Sequence, residues 1–132
     1  MRAGLSEWLD EYGRAWEASN PDAAAELFTE DAVYQSGPFG RRLRGRLMIR
    51  EAWAEAVEEQ QDVEFGYEVL SASATGGIAR WWRSAVYPER NLRARDEGIL
   101  RLAFDEQGLC ENFEEWWNSA EEPLDSASPE TT

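Results

Sequence analysis

The sequence predicts an α+β fold, in which helices cover one face of a curved antiparallel sheet. Three observations support this prediction. Large apolar residues in the first half of the chain recur every third or fourth position, as they do in amphipathic helices. In the second half they alternate with polar residues and short turns intervene, as in β-strands. The helical segments precede most of the strands instead of alternating with them, which is typical of α+β proteins.

The first half of the chain predicts three helices. The first covers residues 5–18, where large rings form one stripe and Ser6 is placed to cap the N-terminus. Asn20-Pro21-Asp22 supplies a capping side chain, a proline and an acid for a first turn, and predicts a short second helix through Phe28. Helical spacing returns between 45 and 60, where a third helix is expected to lay one face on the core.

The remaining pattern predicts five strands, at 32–36, 63–69, 78–87, 93–104 and 109–117. Gly37-Pro38-Phe39-Gly40 ends the first of them, and Thr75-Gly76-Gly77 forms a hairpin-type turn. The arginine-rich stretch that follows the first strand is expected to be a loop. From Asn118 onward large apolar residues are nearly absent. We therefore expect one domain over 1–118, followed by a flexible acidic tail over 119–132.

The composition limits the chemistry that is available. The chain has no histidine and its 13 basic residues are all arginine, so catalysis must use carboxylates, tyrosines, serines or arginine. The formal net charge of -14 argues against nucleic acid or an anionic membrane as a partner. The single Cys110 rules out an internal disulfide, and neither a metal nor a cofactor is expected. Without a secretory signal or a membrane-spanning run, we expect a cytoplasmic protein.

Two segments of the sequence carry a resemblance to a known family. The first helix, with Tyr12 and Trp16, is followed by Leu27-Phe28-Thr29-Glu30-Asp31-Ala32, and the last strand closes with Glu114-Glu115-Trp116-Trp117. Together they resemble the SnoaL-like proteins of the nuclear transport factor 2-like superfamily, over roughly residues 5–118. The resemblance implies a cone-shaped fold in which a strongly bent antiparallel sheet wraps over three N-terminal helices around a pocket. Members include isomerases, cyclases, dehydratases, epoxide hydrolases and proteins without a known reaction.

The ketosteroid isomerases of this superfamily allow a comparison residue by residue. Tyr12 falls on the position of their oxyanion-binding tyrosine. Their proton-shuttling aspartate falls on Ser36 and their oxyanion-binding aspartic acid on Leu100, so neither carboxylate is present and isomerase activity is not expected. The SnoaL-like cyclases use an acid helped by histidine, which this chain lacks.

Strand alternation predicts which side chains face the pocket. We expect Arg83, Asp96 and Glu115 to share an apolar space with Tyr12, and these four are the candidate catalytic residues. The candidate ligand contacts are Trp16, Tyr34, Ser36, Trp53, Phe65, Tyr67, Trp81, Leu100, Phe113 and Trp117. Two acids and an arginine in one space can perform acid and base chemistry. Alternatively, Arg83 and Glu115 form an ion pair in the pocket wall and Asp96 lies at the solvent edge. Tyr12 either presents its hydroxyl to a ligand or lies in the core with that hydroxyl on a backbone carbonyl.

Two functions remain open on the sequence alone. The first is a pocket protein that binds a small, largely apolar molecule, either without catalysis or as a cofactor-independent hydrolase, hydratase or cyclase-like enzyme with a carboxylate base. The second is a non-catalytic dimerisation or ligand-sensing module whose own side chains fill the cavity. A cavity smaller than about 300 Å³ would favour the second.

The outer face of the sheet predicts how the chain associates. Trp82 and Trp116 have the opposite strand parity from the pocket residues, which predicts a homodimer through that face. Cys110 shares their parity and is expected to pack there too. The arginines from Arg41 to Arg50 either guide an anionic substrate toward the pocket or pair with surface acids.

Overall fold

The computed structural model describes residues 4–124. In chain order its elements are α1 (Leu5–Glu17), α2 (Pro21–Ala25), β1 (Phe28–Ser36), β2 (Arg42–Arg44), α3 (Arg46–Val57), β3 (Gln61–Ser73), β4 (Gly76–Tyr87), a short 3-10 helix (Pro88–Arg90), β5 (Leu92–Phe104) and β6 (Cys110–Pro123). The strands form one curved, unclosed sheet in the order β2-β1-β6-β5-β4-β3, which packs with the three α-helices. The predicted α+β class and the three predicted helices are confirmed.

The sheet is mixed, because β1 and β6 run parallel while the other neighbouring strands are antiparallel. No tight turn connects β1 with β6, so the hairpin geometry that forces neighbours to be antiparallel does not apply to this pair. The parallel register places Ser36 beside Glu115. β2 lies in the stretch that was predicted to be a loop, and it extends β1 by a short antiparallel pair.

The helix ends differ from the sequence prediction in two places. Gly4 precedes α1, and no side chain caps this helix, so the prediction that Ser6 caps it is wrong. Asn20 caps α2 through its side-chain oxygen, as predicted. α2 ends before the predicted limit at Phe28, because the Leu27 carbonyl accepts a backbone hydrogen bond from β6 at 2.8 Å and the chain there enters the sheet.

Aromatic rings fill the space between α1 and the sheet. The Trp8 and Tyr12 rings stack with centroids 5.0 Å apart, and the Tyr34 and Phe113 rings stack at 4.5 Å. The Phe28 ring meets Trp8 edge-on at 5.5 Å. All five side chains are buried. Rings of this size bury about 150–250 Å² each, so they supply much of the apolar stabilisation of the fold.

A bulge in β6 turns one predicted surface residue into the core. Phe104 faces Cys110 and Ala103 faces Asn112, so Glu111 is an extra residue on β6. One extra residue reverses the alternation of a strand on one side of the bulge. Cys110 is fully buried in the core, and the prediction that it packs on the outer face is wrong.

β6 is also longer than predicted. It continues beyond Trp117 to Pro123, which lies opposite Leu92 of β5. Residues 119–123, which were expected to begin the flexible tail, are therefore part of the sheet. The predicted tail from residue 125 onward lies outside the described residues.

The outer face of the sheet carries large exposed apolar side chains. Trp82, Ile99 and Trp116 are 37%, 36% and 38% exposed. Trp82 lies across Gly66 of the neighbouring strand, where a Cβ atom would meet the indole nitrogen at 2.3 Å. The two tryptophans therefore have the predicted outward orientation.

Candidate functional site

A hollow of about 260 Å³ lies at one end of the cone, between α1 and the strands β4, β5 and β6. Six of the predicted site residues line it: Trp16, Trp81, Arg83, Asp96, Glu115 and Trp117. Its volume is below about 300 Å³, the lower end for pockets that hold drug-sized ligands. A volume this small favours the interpretation in which the protein's own side chains fill most of the cavity.

The register of β4, β5 and β6 arranges the site in cross-strand rows. From the rim inward, these rows are Arg83-Asp96-Ser119, Trp81-Gly98-Trp117 and Ala79-Leu100-Glu115. In the middle row, a Cβ on Gly98 would lie 1.8 Å from the Trp116 carbonyl oxygen, so no side chain is tolerated there. The Trp81 and Trp117 rings therefore face each other across a bare backbone, with centroids 6.5 Å apart.

Glu115 is the carboxyl group whose acidity the site changes. Its Oε2 accepts hydrogen bonds from the Tyr34 hydroxyl at 3.1 Å and the Ser36 hydroxyl at 3.0 Å. Burial raises the pKa of Glu115 from 4.5 to about 7, although those two bonds and the charge of Arg83 favour ionisation. Oε1 has no hydrogen-bond partner among residues 4–124, and it is not one of the unpartnered atoms that are closed to solvent. One oxygen is thus fixed, and the other is open for proton transfer.

Tyr12 reaches Glu115 only through Tyr34. The Tyr12 hydroxyl lies 3.2 Å from the Tyr34 hydroxyl, which in turn donates to Glu115. Burial raises the pKa of both tyrosines, and the charge of Glu115 raises them further. Tyr12 does not line the hollow. The Tyr12 hydroxyl is hydrogen-bonded to the Tyr34 side chain. The two partners expected from the sequence were a ligand and a backbone carbonyl.

Arg83 forms its ion pair with Asp96, which lies directly opposite on β5. The Nη2 to Oδ2 distance is 2.9 Å, and both side chains are 10% exposed. Nη1 donates to the Gln60 side-chain oxygen at 2.7 Å, and the guanidinium lies 4.5 Å above the Trp16 ring. The alternative in which Arg83 pairs with Glu115 and Asp96 lies at the solvent edge is therefore wrong. Arg83 is a fixed positive charge beside the hollow.

The other predicted ligand contacts do not line the hollow. Tyr34 and Ser36 lie behind Glu115 and bind it. The Tyr67 hydroxyl donates to a backbone carbonyl and a carboxylate of α1. The remaining four pack in or against the aromatic core: Trp53, Phe65, Leu100 and Phe113.

Sequence reasoning missed seven residues of the site. Six line the hollow: Tyr87, Arg90, Leu92, Ala94, Ser119 and Glu121. Five of them have the same inward parity as the predicted residues on β4, β5 and β6, so following that parity to the true strand ends would have found them. Arg90 lies on the 3-10 helix and Gln60 follows α3, and neither has a sequence signal.

Two further features of the described region bear on the type of site. Within residues 4–124 no group of three or more cysteine, aspartate or glutamate side chains is placed to hold a metal ion. No helix in the same range is long and apolar enough to cross a membrane.

Comparisons with known proteins place the chain in a family. A family model described as the SnoaL-like domain matches residues 9–111. Similar solved structures include the epoxide hydrolase/cyclase-like enzyme SalBIII of pyran ring formation in polyether salinomycin, at 19% identity and a TM-score of 0.72, covering 86% of this chain and 89% of that one. RV0760c from Mycobacterium tuberculosis is 13% identical with a TM-score of 0.76, covering 87% and 93%. A computationally designed 17-OHP binder is 16% identical with a TM-score of 0.74, covering 87% and 94%. No curated protein matches significantly.

The curved sheet packed with three helices defines a protein of the nuclear transport factor 2-like superfamily. Within it, the chain belongs to the SnoaL-like family, because the family match spans most of its length. The predicted resemblance is confirmed. The solved structures share the fold at low identity and carry no activity over to this chain.

Proposed function

We propose that this SnoaL-like protein binds a small molecule in the hollow and hydrates or hydrolyses it, with Glu115 transferring the proton. One observation carries the proposal: the Glu115 carboxyl has a pKa of about 7, one oxygen held by two hydroxyls and the other free. A group that titrates near the working pH can both take and return a proton. The same group would serve a cyclase-like reaction, in which a hydroxyl of the substrate replaces water.

The reaction balances with the groups of this chain and water alone, without a cofactor. The Glu115 carboxylate takes a proton from water as the water oxygen bonds to an electrophilic carbon of the substrate. The bond from that carbon to its leaving oxygen breaks, and the leaving oxygen keeps the electron pair. Protonated Glu115 then returns the proton to that oxygen. Arg83 stabilises the negative charge as it develops, and Asp96 holds Arg83 in place.

The volume and the lining of the hollow limit the size and the chemistry of the ligand that we propose. A volume of about 260 Å³ suits a molecule below the drug-sized range. Aromatic and charged side chains share the lining, so the ligand combines an apolar part with one or two polar groups.

The test compares two neighbouring glutamates on β6. Glu115→Gln should abolish turnover of a panel of small epoxides and lactones. Glu114→Gln is the matched control, because Glu114 pairs with Arg101 and does not line the hollow, and it should leave turnover unchanged. Full activity of Glu115→Gln, or no turnover of any panel member by the unaltered protein, would overturn the catalytic proposal.

A second candidate is a non-catalytic dimerisation or sensing module with a filled cavity. The small volume of the hollow favours it, as do the rings that close the interior. A thermal-shift screen separates the two candidates, because a ligand that binds the folded state raises the melting temperature. If no small molecule raises it, the second candidate stands alone.

We also propose that the protein is a cytoplasmic homodimer that associates through the outer sheet face. Trp82, Ile99 and Trp116 are exposed there. The free thiol of Cys110 is in keeping with a reducing compartment. In sedimentation equilibrium the unaltered chain should have twice its mass of 15.1 kDa, and Trp116→Glu should be monomeric. A monomeric unaltered chain would refute the dimer.

A further inference from the structure

The positive charges of the hollow are already committed to partners. Its lining contains two arginines and three carboxylic acids. Arg83 pairs with Asp96 at 2.9 Å, and Arg90 pairs with Glu59 at 3.6 Å. Each guanidinium also lies over an aromatic ring, at 4.5 Å and 4.8 Å from the ring centroid. Both guanidinium charges are therefore already paired with a carboxylate before a ligand enters.

Two carboxyl groups of the lining, in contrast, form no salt bridge within residues 4–124: Glu115 and Glu121. Oε1 of Glu115 is unpartnered and open, and Glu121 is exposed. The lining also has two unpartnered N–H groups, on Trp81 and at Nε of Arg83, but both are closed to solvent. The charged groups that a ligand can reach and that form no salt bridge are thus the carboxylates of Glu115 and Glu121, which accept hydrogen bonds.

Aromatic walls stand beside these acceptors. Trp81 and Trp117 face each other across Gly98, with an angle of 52° between their rings. Trp117 is 41% exposed, and it follows Glu115 by two residues on the same face of β6. The face of an indole ring attracts a cation within about 6 Å of its centroid.

We propose that the hollow binds a small organic cation, an alkylammonium group that contacts Trp81 and Trp117 and is balanced by Glu115 and Glu121. The inference rests on the proposed function only in requiring that a small ligand enters the hollow. The net charge of -14 also draws cations toward the protein.

A bound cation would couple to the titration of Glu115. The titratable and charged groups that face this carboxyl are Tyr12 from α1, Tyr34 from β1, Arg83 from β4 and Asp96 from β5. Arg83 carries the one positive charge among these four groups, and it is paired with Asp96. A cation therefore favours the carboxylate, and its affinity rises with pH as Glu115 ionises. The carboxylate is also the form that acts as a base.

The test uses choline and 3,3-dimethylbutan-1-ol, a neutral molecule of the same shape, in calorimetric titrations at pH 6 and pH 8. At pH 8 choline should bind about tenfold more tightly than the alcohol. Choline affinity should fall by up to about tenfold at pH 6, while the affinity of the alcohol stays constant. Equal affinities for the two molecules, no pH dependence for choline, or no choline binding would overturn the inference.

Two matched pairs of variants locate the cation. Glu115→Gln should lower choline affinity several-fold, toward that of the alcohol, and remove its pH dependence, and Glu114→Gln should change neither. Trp117→Leu should weaken choline binding about fivefold, whereas Trp116→Leu, on the outer face and equally exposed, should not. Unchanged choline binding in both Glu115→Gln and Trp117→Leu would overturn the inference.

The outcomes also separate this inference from the proposed function. Choline binding as described, without turnover of any panel member, supports the inference and contradicts the catalytic proposal. Turnover that depends on Glu115, together with equal affinity for choline and the alcohol, supports the catalytic proposal and contradicts the inference.

Discussion

The inner face of the sheet is closed at its deep end and open at its rim, although the same three strands form both. At the deep end Leu100 and Phe113 are fully buried under the rings of α1. At the rim Asp96, Trp117 and Glu121 occupy the corresponding inward positions on β5 and β6 and line a hollow. Backbone and curvature are shared, so the side chains decide which end is core and which end is site. The hollow lies where charged side chains join the aromatic ones on the inner face.

The largest expected effect is a difference in the free energy of unfolding between a variant at the deep end and a variant at the rim. Phe113→Ala should lower the free energy of unfolding by about 3–5 kcal/mol, because it leaves a cavity among packed rings. Trp117→Ala should cost less than about 1 kcal/mol, since that ring is partly exposed at the rim. Urea denaturation of both variants measures the difference. Equal costs would show that the rim is as tightly packed as the deep end.

A smaller effect tests the acid at the boundary between the two ends. The raised pKa of Glu115 means that its contribution to stability is complete below pH 4.5 and is lost as the pH rises through about 7. Glu115→Gln has no such titration. Relative to the unaltered protein, it should therefore gain about 2–3 kcal/mol between pH 4.5 and pH 8. Urea denaturation at both pH values gives this number, and Glu114→Gln is the control. The same gain in the control, or none in Glu115→Gln, would place Glu115 in solvent.

The smallest effect concerns Tyr12, which belongs to the deep end. Tyr12→Phe removes one hydrogen bond to Tyr34 and should destabilise the protein by about 1 kcal/mol. Because Tyr12 does not line the hollow, choline affinity should stay within about twofold. A tenfold loss of affinity without a change in stability would move Tyr12 into the binding site.

The sequence predicted the features that depend on local periodicity, namely which side chains of a helix or strand face inward. Helical spacing places Tyr12 and Trp16 on the inward stripe of α1, and alternation places Arg83 on the inner face of β4 and Glu115 on that of β6. These positions depend only on near neighbours in the chain. The outward orientation of Trp82 follows in the same way.

Features that depend on distant pairing could not be predicted. The parallel register that brings the Ser36 hydroxyl to Glu115 joins segments 79 residues apart. The extra residue Glu111 reverses the side on which Cys110 lies, and alternation alone gives no sign of it. Whether Arg83 pairs with Asp96 or Glu115 depends on which strand is its neighbour. The volume of the hollow depends on how all of these side chains pack.

β6 is the C-terminal strand of the sheet, yet it lies between β1 and β5. During synthesis the sheet can therefore be completed only after β6 leaves the ribosome, because β6 joins two pieces of it, β2-β1 and β5-β4-β3. Until then β1 and β5 lack the neighbour that β6 provides, and unpaired strand edges invite pairing with other chains. A chain cut short before β6 would lack Glu115 and the joint between the two pieces, so truncated products should aggregate instead of retaining partial function.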